Sequence, residues 1–189
     1  DVILLSDGEY AESNKLIISH PLTLQAVEGA HAVIRMKSRV ELSADFTIRG
    51  VQWLADGASE AIRMLPGAQR YDVKIARCTF QEFSSKIIRA YASDQIDPYI
   101  HSLDIVNCQF RPAAGARCIE ASAANKQIAN LSIRNSTFDG GIGAGRFIYF
   151  NSAEGTTVES ALIDHCTFYN ANDTRCIYLG NIDGAQVSN

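Results

Sequence analysis

The sequence predicts an all-β fold, a right-handed single-stranded parallel β-helix (solenoid) with three short strands and about 29 residues per coil. One eight-residue motif occurs five times, and its central isoleucine recurs at steps of 27, 30, 28 and 30 residues. A second, shorter motif follows each copy of the first. Periods of this length are typical of solenoids, in which each repeat packs only against its neighbours.

The first motif accounts for two of the three predicted strands. Its copies are Phe46–Trp53, Val73–Phe80, Leu103–Phe110, Leu131–Phe138 and Ala161–Phe168. Apolar and polar residues alternate within each copy, which is the period of a half-buried strand and not of a helix.

The alternation breaks at the fifth position of the motif, which predicts a bend between two strands. That position is occupied by Gly50, Arg77, Asn107, Asn135 and His165. Glycine and asparagine tolerate a left-handed backbone, which reverses the face to which the next side chain points. Arg77 suits this conformation least.

The second motif predicts the third strand of each coil. Its copies are Glu60–Met64, Lys86–Ala90, Arg117–Ala121, Arg146–Phe150 and Arg175–Leu179. Stacked coils place equivalent residues about 4.8 Å apart, so that the core becomes a set of ladders. The predicted ladders are Ile48, Ile75, Ile105, Ile133 and Ile163; Trp53, Phe80, Phe110, Phe138 and Phe168; and Ile62, Ile88, Ile119, Ile148 and Ile177.

The cysteines follow the same period. Cys78, Cys108 and Cys166 share one position of the repeat, and Cys118 and Cys176 share another. Positions of this kind favour small packed side chains. Cys78 and Cys108 lie on adjacent predicted coils, so that a disulfide between them is sterically possible.

Length and composition predict one domain. The 189 residues are 47% hydrophobic, and we expect residues 1–45 to form a first coil or cap and residues 46–189 to form regular coils. A net charge of −4 argues against a general nucleic-acid partner, and no apolar run is long enough to span a membrane. A sixth copy of the motif begins at Ala185 and stops at Asn189, which predicts a continuation or an end-to-end contact there.

Three short motifs near the start carry a family resemblance. Asp7-Gly-Glu-Tyr10, Pro21-Leu-Thr-Leu24 and Gly50-Val-Gln-Trp53 resemble, in order and spacing, the start of the β-helical polysaccharide lyases typified by chondroitinase B and the related alginate lyases. The resemblance covers roughly residues 2–65, and it extends to uncharacterised β-helix domains with the same start. It implies a carbohydrate-active protein that is secreted, periplasmic or at the cell surface, with an acidic polysaccharide as its partner.

The resemblance also implies a reaction. Lyases of this type neutralise a uronate carboxylate, remove the adjacent C5 proton and release the leaving oxygen by β-elimination, with a calcium ion (Ca²⁺), a lysine base and an arginine about twenty residues later. Lys126 and Arg146 match that spacing and are the candidate catalytic pair. Glu120 stands where a calcium ligand is expected, whereas Cys118 replaces its expected acidic neighbour.

A column of basic residues runs through the second motif and leaves two interpretations open. Lys86, Arg117, Arg146 and Arg175 occupy one position of the repeat, and stacked like charges repel one another. Either the side chains turn to solvent and loop carbonyls, or the column binds a polyanion, whose carboxylates arginine grips bidentately.

A neighbouring column adds the remaining candidate substrate-binding residues. It contains Arg63, Arg89, Glu120, Tyr149 and Tyr178. Strand parity also predicts Ile87, Cys118, Phe147 and Cys176 on the outer side, giving an apolar and aromatic surface against which sugar rings could stack, unless a loop such as 91–100 covers it. The predicted substrate-binding set is therefore Arg117, Glu120, Tyr149, Arg175 and Tyr178.

Two functions from different classes follow. One is a polysaccharide lyase, or part of one, acting on uronate-containing glycans. The other is a non-catalytic β-helix that binds glycan or serves in surface adhesion.

Overall fold

The computed structural model describes residues 1–91, 99–121, 127–151, 158–171, 176–180 and 182–189, and for residues 142–144 and 183 it describes only the backbone. Within these ranges the chain forms strands and no helix. The strands are β1 (Val2–Leu5), β2 (Gly8–Glu12), β3 (Leu16–Ile18), β4 (Leu22–Ala26), β5 (Ala32–Met36), β6 (Val40–Leu42), β7 (Phe46–Arg49), β8 (Val51–Ala55), β9 (Glu60–Met64), β10 (Tyr71–Ala76), β11 (Thr79–Gln81), β12 (Lys86–Ala90), β13 (Ile100–Val106), β14 (Gln109–Arg111), β15 (Arg117–Ala121), β16 (Ile128–Arg134), β17 (Thr137–Ala144), β18 (Ile148–Phe150), β19 (Val158–Asp164), β20 (Thr167–Ala171), β21 (Ile177–Leu179) and β22 (Ile182–Ser188).

The strands form three parallel sheets that wind into a β-solenoid. Each strand inside a sheet pairs with the third strand before it and the third strand after it, and the strand at each end of a sheet has one such neighbour. The first sheet contains β1, β4, β7, β10, β13, β16, β19 and β22; the second contains β2, β5, β8, β11, β14, β17 and β20; the third contains β3, β6, β9, β12, β15, β18 and β21. The prediction of three strands per coil is confirmed.

The coils are shorter at the start of the chain. Paired residues are 21 positions apart at Val2 and Thr23 and 30 apart at Val73 and Leu103. The mean is about 27 residues per turn, slightly below the predicted 29. The difference comes from both ends of the chain, because the opening coils are short and the last pairing, of Ala161 with Ala185, spans only 24 positions.

The predicted ladders form the core. Ile75 pairs in register with Ile48 and Ile105, and Ile88 pairs with Ile62 and Ile119. The aromatic rings of the second sheet stack face to face, with centroids 4.8 Å apart for Phe110 and Phe138. Burial of side chains of this size stabilises a fold by roughly 1.5–3 kcal/mol each.

The bend predicted at the fifth motif position is confirmed, even at Arg77, the residue least suited to a left-handed backbone. Arg77, Asn107 and His165 have φ values of 54°, 55° and 49°, in the left-handed region. The Arg77 amide still donates to the Val106 carbonyl of the next coil at 3.0 Å. Each coil therefore bends without losing its backbone hydrogen bond to the next.

The cysteines pack as small core side chains. All five thiols are free, and Cys78, Cys108 and Cys118 are buried. Burial raises the pKa of the Cys118 thiol well above its ordinary value, because the charged thiolate would lose its hydration.

The predicted apolar outer surface of the third sheet is wrong. Ile87, Cys118 and Phe147 are fully buried, and the Phe147 ring lies against the core ring of Phe138, with centroids 5.9 Å apart. The cause is an extra residue before the core isoleucine, where Ile87 and Cys118 are skipped in the pairing of β12 with β15. The amides of Cys118 and Ile119 both donate to the Phe147 carbonyl. Two successive side chains then point inward, as in a β-bulge, and simple alternation fails.

The bend column gives a stability prediction. A non-glycine residue in the left-handed region costs about 1–2 kcal/mol, so we expect Arg77→Gly to raise the free energy of unfolding by about 1 kcal/mol. Urea denaturation monitored by circular dichroism measures this. Arg49→Gly is the matched control: Arg49 ends β7, outside the left-handed set, and its replacement should lower stability by roughly 0.5–1 kcal/mol. Equal effects of the two variants would contradict the prediction.

Candidate functional site

The outward side of the third sheet concentrates charged and aromatic side chains, and we call it the arginine face. It carries Lys15, Arg39, Glu41, Glu60, Arg63, Lys86, Arg89, Arg117, Glu120, Arg146, Tyr149 and Tyr178. In-register pairing of Lys86 with Arg117, and of Glu120 with Tyr149, aligns these residues in columns along the solenoid axis. Because of the bulge, the two outward positions of one strand are three residues apart, as in Arg117 and Glu120.

Three carboxylates lie buried on this face. Glu41, Glu60 and Glu120 are only 8%, 5% and 3% exposed. A buried carboxylate is tolerated when cations and hydrogen bonds replace its lost hydration. The positions of the surrounding cations therefore decide how these carboxylates are stabilised and which ligands the face can bind.

The first two carboxylates hold cations of the early coils. Glu41 lies 2.9 Å from the Lys15 ammonium and 2.8 Å from the Arg39 guanidinium. Glu60 lies 2.6 Å from the Arg63 guanidinium of its own strand and 3.3 Å from that of Arg89, on the next coil. Each carboxylate thus contacts cations of two neighbouring coils.

Glu120 holds the cations at the middle of the face. Its Oε2 accepts a hydrogen bond from Arg117, and its Oε1 lies 3.6 Å from Lys86 Nζ and 3.7 Å from Arg89 Nε. These carboxylates therefore supply the compensation that stacked like charges require. This is a third solution, besides the solvent and carbonyl contacts and the polyanion that the sequence suggested.

The tyrosines lie against arginines at the later coils. The Arg117 guanidinium carbon is 4.1 Å from the Tyr149 ring centroid, and the Tyr178 ring stacks on Tyr149 from the following coil at 5.3 Å. Arg146 lies 4.8 Å from the Tyr149 centroid and 5.6 Å from that of Tyr178. Both faces of the Tyr149 ring are thus covered, and the ring presents its edge and its hydroxyl, to which Asn151 donates at 2.9 Å.

This contact pattern changes the role expected of Tyr149, whereas substrate binding by Tyr178 stays a prediction. Sugar stacking needs an open ring face, whereas cation–π contact of an arginine with a ring holds the guanidinium in place. Tyr149 therefore orients Arg117 and Arg146, and all three side chains are partly exposed.

The structure brings together five of the seven predicted site residues: Arg117, Glu120, Arg146, Tyr149 and Tyr178. Lys126 and Arg175 lie outside the described residues. Sequence reasoning did not assign Glu60 or Tyr91 to the site, although the Tyr91 ring centroid lies 5.1 Å from the Arg63 guanidinium carbon and 5.2 Å from that of Arg89. Glu60 occupies the repeat position of Lys86, so the aligned motifs already contained that signal.

The described residues do not fit the calcium site that the resemblance implied. Among them no three His, Cys, Asp or Glu side chains are placed to hold a metal ion. The expected ligand Glu120 is surrounded by Lys86, Arg89 and Arg117, and the neighbouring Cys118 lies in the core.

Comparison with known proteins supports the fold. No family model and no curated protein matches the chain. Among solved structures, the chain is similar to the PL6 family alginate lyase AlyGC, with a TM-score of 0.59 and 18% sequence identity. The match covers 100% of this chain and 36% of the lyase chain, and at this identity it shows the shared parallel β-helix alone.

The likeness to chondroitinase B, taken from the opening motifs, stays a prediction. No helix in the described part of the chain is both long and apolar enough to cross a bilayer.

The ion pairs of Glu41 predict an acid-sensitive contribution to stability. Burial alone would raise the pKa of Glu41, but hydrogen bonds from Lys15 and Arg39 outweigh it and hold the pKa below the ordinary 4.5. A folded pKa below the unfolded one stabilises the fold above pH 4.5, and this stabilisation is lost as the pH falls through the folded pKa. We expect the free energy of unfolding, measured by urea denaturation, to fall more steeply with acid in the parent protein than in Glu41→Gln. Parallel pH profiles would exclude this role.

Proposed function

We propose that the arginine face binds an acidic polysaccharide. The observation that carries this proposal is the excess of cations: among the described residues of the face, seven cations, Lys15, Arg39, Arg63, Lys86, Arg89, Arg117 and Arg146, accompany three carboxylates, Glu41, Glu60 and Glu120. The chain as a whole has a net charge of −4. A local positive surface on an acidic protein favours a specific anionic partner.

The arrangement of the cations favours an extended partner. Each coil from that of Lys15 to that of Arg146 carries at least one of them, and Lys86 and Arg89 share β12. Coils are about 4.8 Å apart, so that a linear polymer lying along the face meets one cation after another. Arginine also binds carboxylates and sulfates through two parallel hydrogen bonds, which fixes direction as well as charge. A polymer of uronate sugars supplies such groups at regular intervals.

The later coils are where we place the tightest contact. Arg117 and Arg146 lie against the same Tyr149 ring, with guanidinium carbons 4.1 Å and 4.8 Å from its centroid. Two guanidinium groups of neighbouring coils are thereby held close together on one part of the face. Arg175, which continues the same column in the sequence, is proposed to extend the binding face.

Removal of the later arginines should weaken binding of uronate oligosaccharides. We expect Arg117→Gln and Arg146→Gln each to raise the dissociation constant about tenfold, the effect of one charge-assisted contact of ~1.5 kcal/mol. Isothermal titration calorimetry at low salt measures this.

The matched control lies on the same coil as Arg117 but on the second sheet. Arg111 has a 53% exposed side chain and lies 3.9 Å from Asp139, so Arg111→Gln removes the same charge away from the arginine face. Its affinity should change little. Equal losses in all three variants would show that net charge alone drives binding, and absence of binding in the parent protein would refute the proposal.

A second candidate function is cleavage of the bound glycan by β-elimination. It is supported by the fold shared with the alginate lyase, a protein named for its action on alginate. In this proposal a cation such as Arg146 neutralises the uronate carboxylate, Lys126 removes the C5 proton, the C4–oxygen bond breaks and the leaving oxygen takes up a proton. Such a protein would act outside the cytoplasm, at the cell surface, in the periplasm or after secretion.

Ultraviolet absorbance of the unsaturated uronate product tests this reaction directly. With alginate, chondroitin sulfate or dermatan sulfate, we expect an absorbance rise that Lys126→Met abolishes while leaving affinity unchanged, since a base acts on the reaction and not on binding. Full activity of Lys126→Met would exclude Lys126 as the base. Binding without any absorbance rise would favour the non-catalytic glycan-binding or adhesion module.

A further inference from the structure

Glu120 occupies the position where the lyase resemblance places a calcium ligand, yet its surroundings are cationic. Its side chain is 3% exposed and contacts Lys86 and Arg89 on the preceding coil and Arg117 on its own. Calcium in proteins takes six to eight oxygen ligands, several of them carboxylates. A divalent cation beside three positive side chains would be repelled and would find too few oxygens.

Resting on the proposed function, we propose that Glu120 is a positioning residue that aims Arg117 at an anionic group of the glycan. In this site the cations of the protein take the place of calcium, so that glycan binding is independent of calcium.

Arg117 is held from two sides. It donates a hydrogen bond to Glu120, and its guanidinium carbon lies 4.1 Å from the Tyr149 ring centroid. A guanidinium has five N–H donors in one plane, so that two fixed contacts leave an edge of known direction for a further anion. The side chain is 34% exposed, and that edge therefore reaches solvent.

Charge and geometry predict opposite results for Glu120→Gln. The substitution removes one negative charge from the face, so that charge alone would tighten binding of a polyanion. Loss of positioning instead weakens binding, by about fivefold or more, because Arg117 must then be ordered by the ligand. Titration calorimetry with a uronate oligosaccharide in buffer containing a calcium chelator measures the sign.

Two variants separate positioning from general damage to the fold. Glu120→Asp keeps the charge but shortens the side chain, and we expect it to lose affinity as well. Asp139→Asn removes a carboxylate that lies 3.9 Å from Arg111 on the second sheet, away from the arginine face, and its affinity should stay unchanged. In an Arg117→Gln background, Glu120→Gln should add no further loss.

Two readouts need no glycan and keep the inference testable if the proposed function fails. Titration of calcium alone into the parent protein should give no binding heat. The guanidinium N–H signal of Arg117 in nuclear magnetic resonance should show restricted rotation in the parent protein and free rotation in Glu120→Gln.

The inference and the proposed function fail in different ways. A parent protein that binds no uronate glycan refutes the proposed function, whereas unrestricted Arg117 refutes the inference. Tighter or unchanged binding in Glu120→Gln, or glycan binding that requires calcium in the parent protein, would also overturn the inference.

Discussion

In-register stacking of parallel strands is the constraint on which the rest of this structure depends. It places every residue directly over its equivalents in the neighbouring coils, about 4.8 Å away. Stacking is favourable for Ile75 and Phe110, whose ladders fill the core. It is unfavourable for like charges, and most features of the arginine face reduce the repulsion between stacked cations.

The bulge in the third sheet allows carboxylates to reach the stacked cations. By turning Ile87, Cys118 and Phe147 into the core, it brings the outward residues three positions apart, such as Arg117 and Glu120, onto one side of the strand. A carboxylate in one column can then reach cations of the other column and of the adjacent coil. The same backbone irregularity thus enlarges the apolar core and compensates the surface charge.

The repeat was sufficient to predict the ladders, the three sheets and the bend, because equivalent positions in a stacked solenoid share one environment. The bulge could not be predicted in this way. In Ile87-Ile88 and Phe147-Ile148 both residues are apolar, and alternation alone assigns one of them to each face. The ion pairs could not be predicted for a related reason. Whether Glu120 binds a metal or Arg117 depends on how far each side chain extends and in which direction, and the spacing of residues in the sequence does not give this.

The ion pairs of the arginine face also connect the coils to one another. Glu60 joins the coils of Arg63 and Arg89, and Glu120 joins those of Lys86 and Arg117. In a solenoid, cooperativity of unfolding arises from the interfaces between neighbouring repeats. These ion pairs strengthen the interfaces between coils on one side of the solenoid. A terminal coil can therefore unfold separately from its neighbour only if the ion pairs between them are broken. A face suited to ligand binding therefore also makes the solenoid unfold more nearly as one unit.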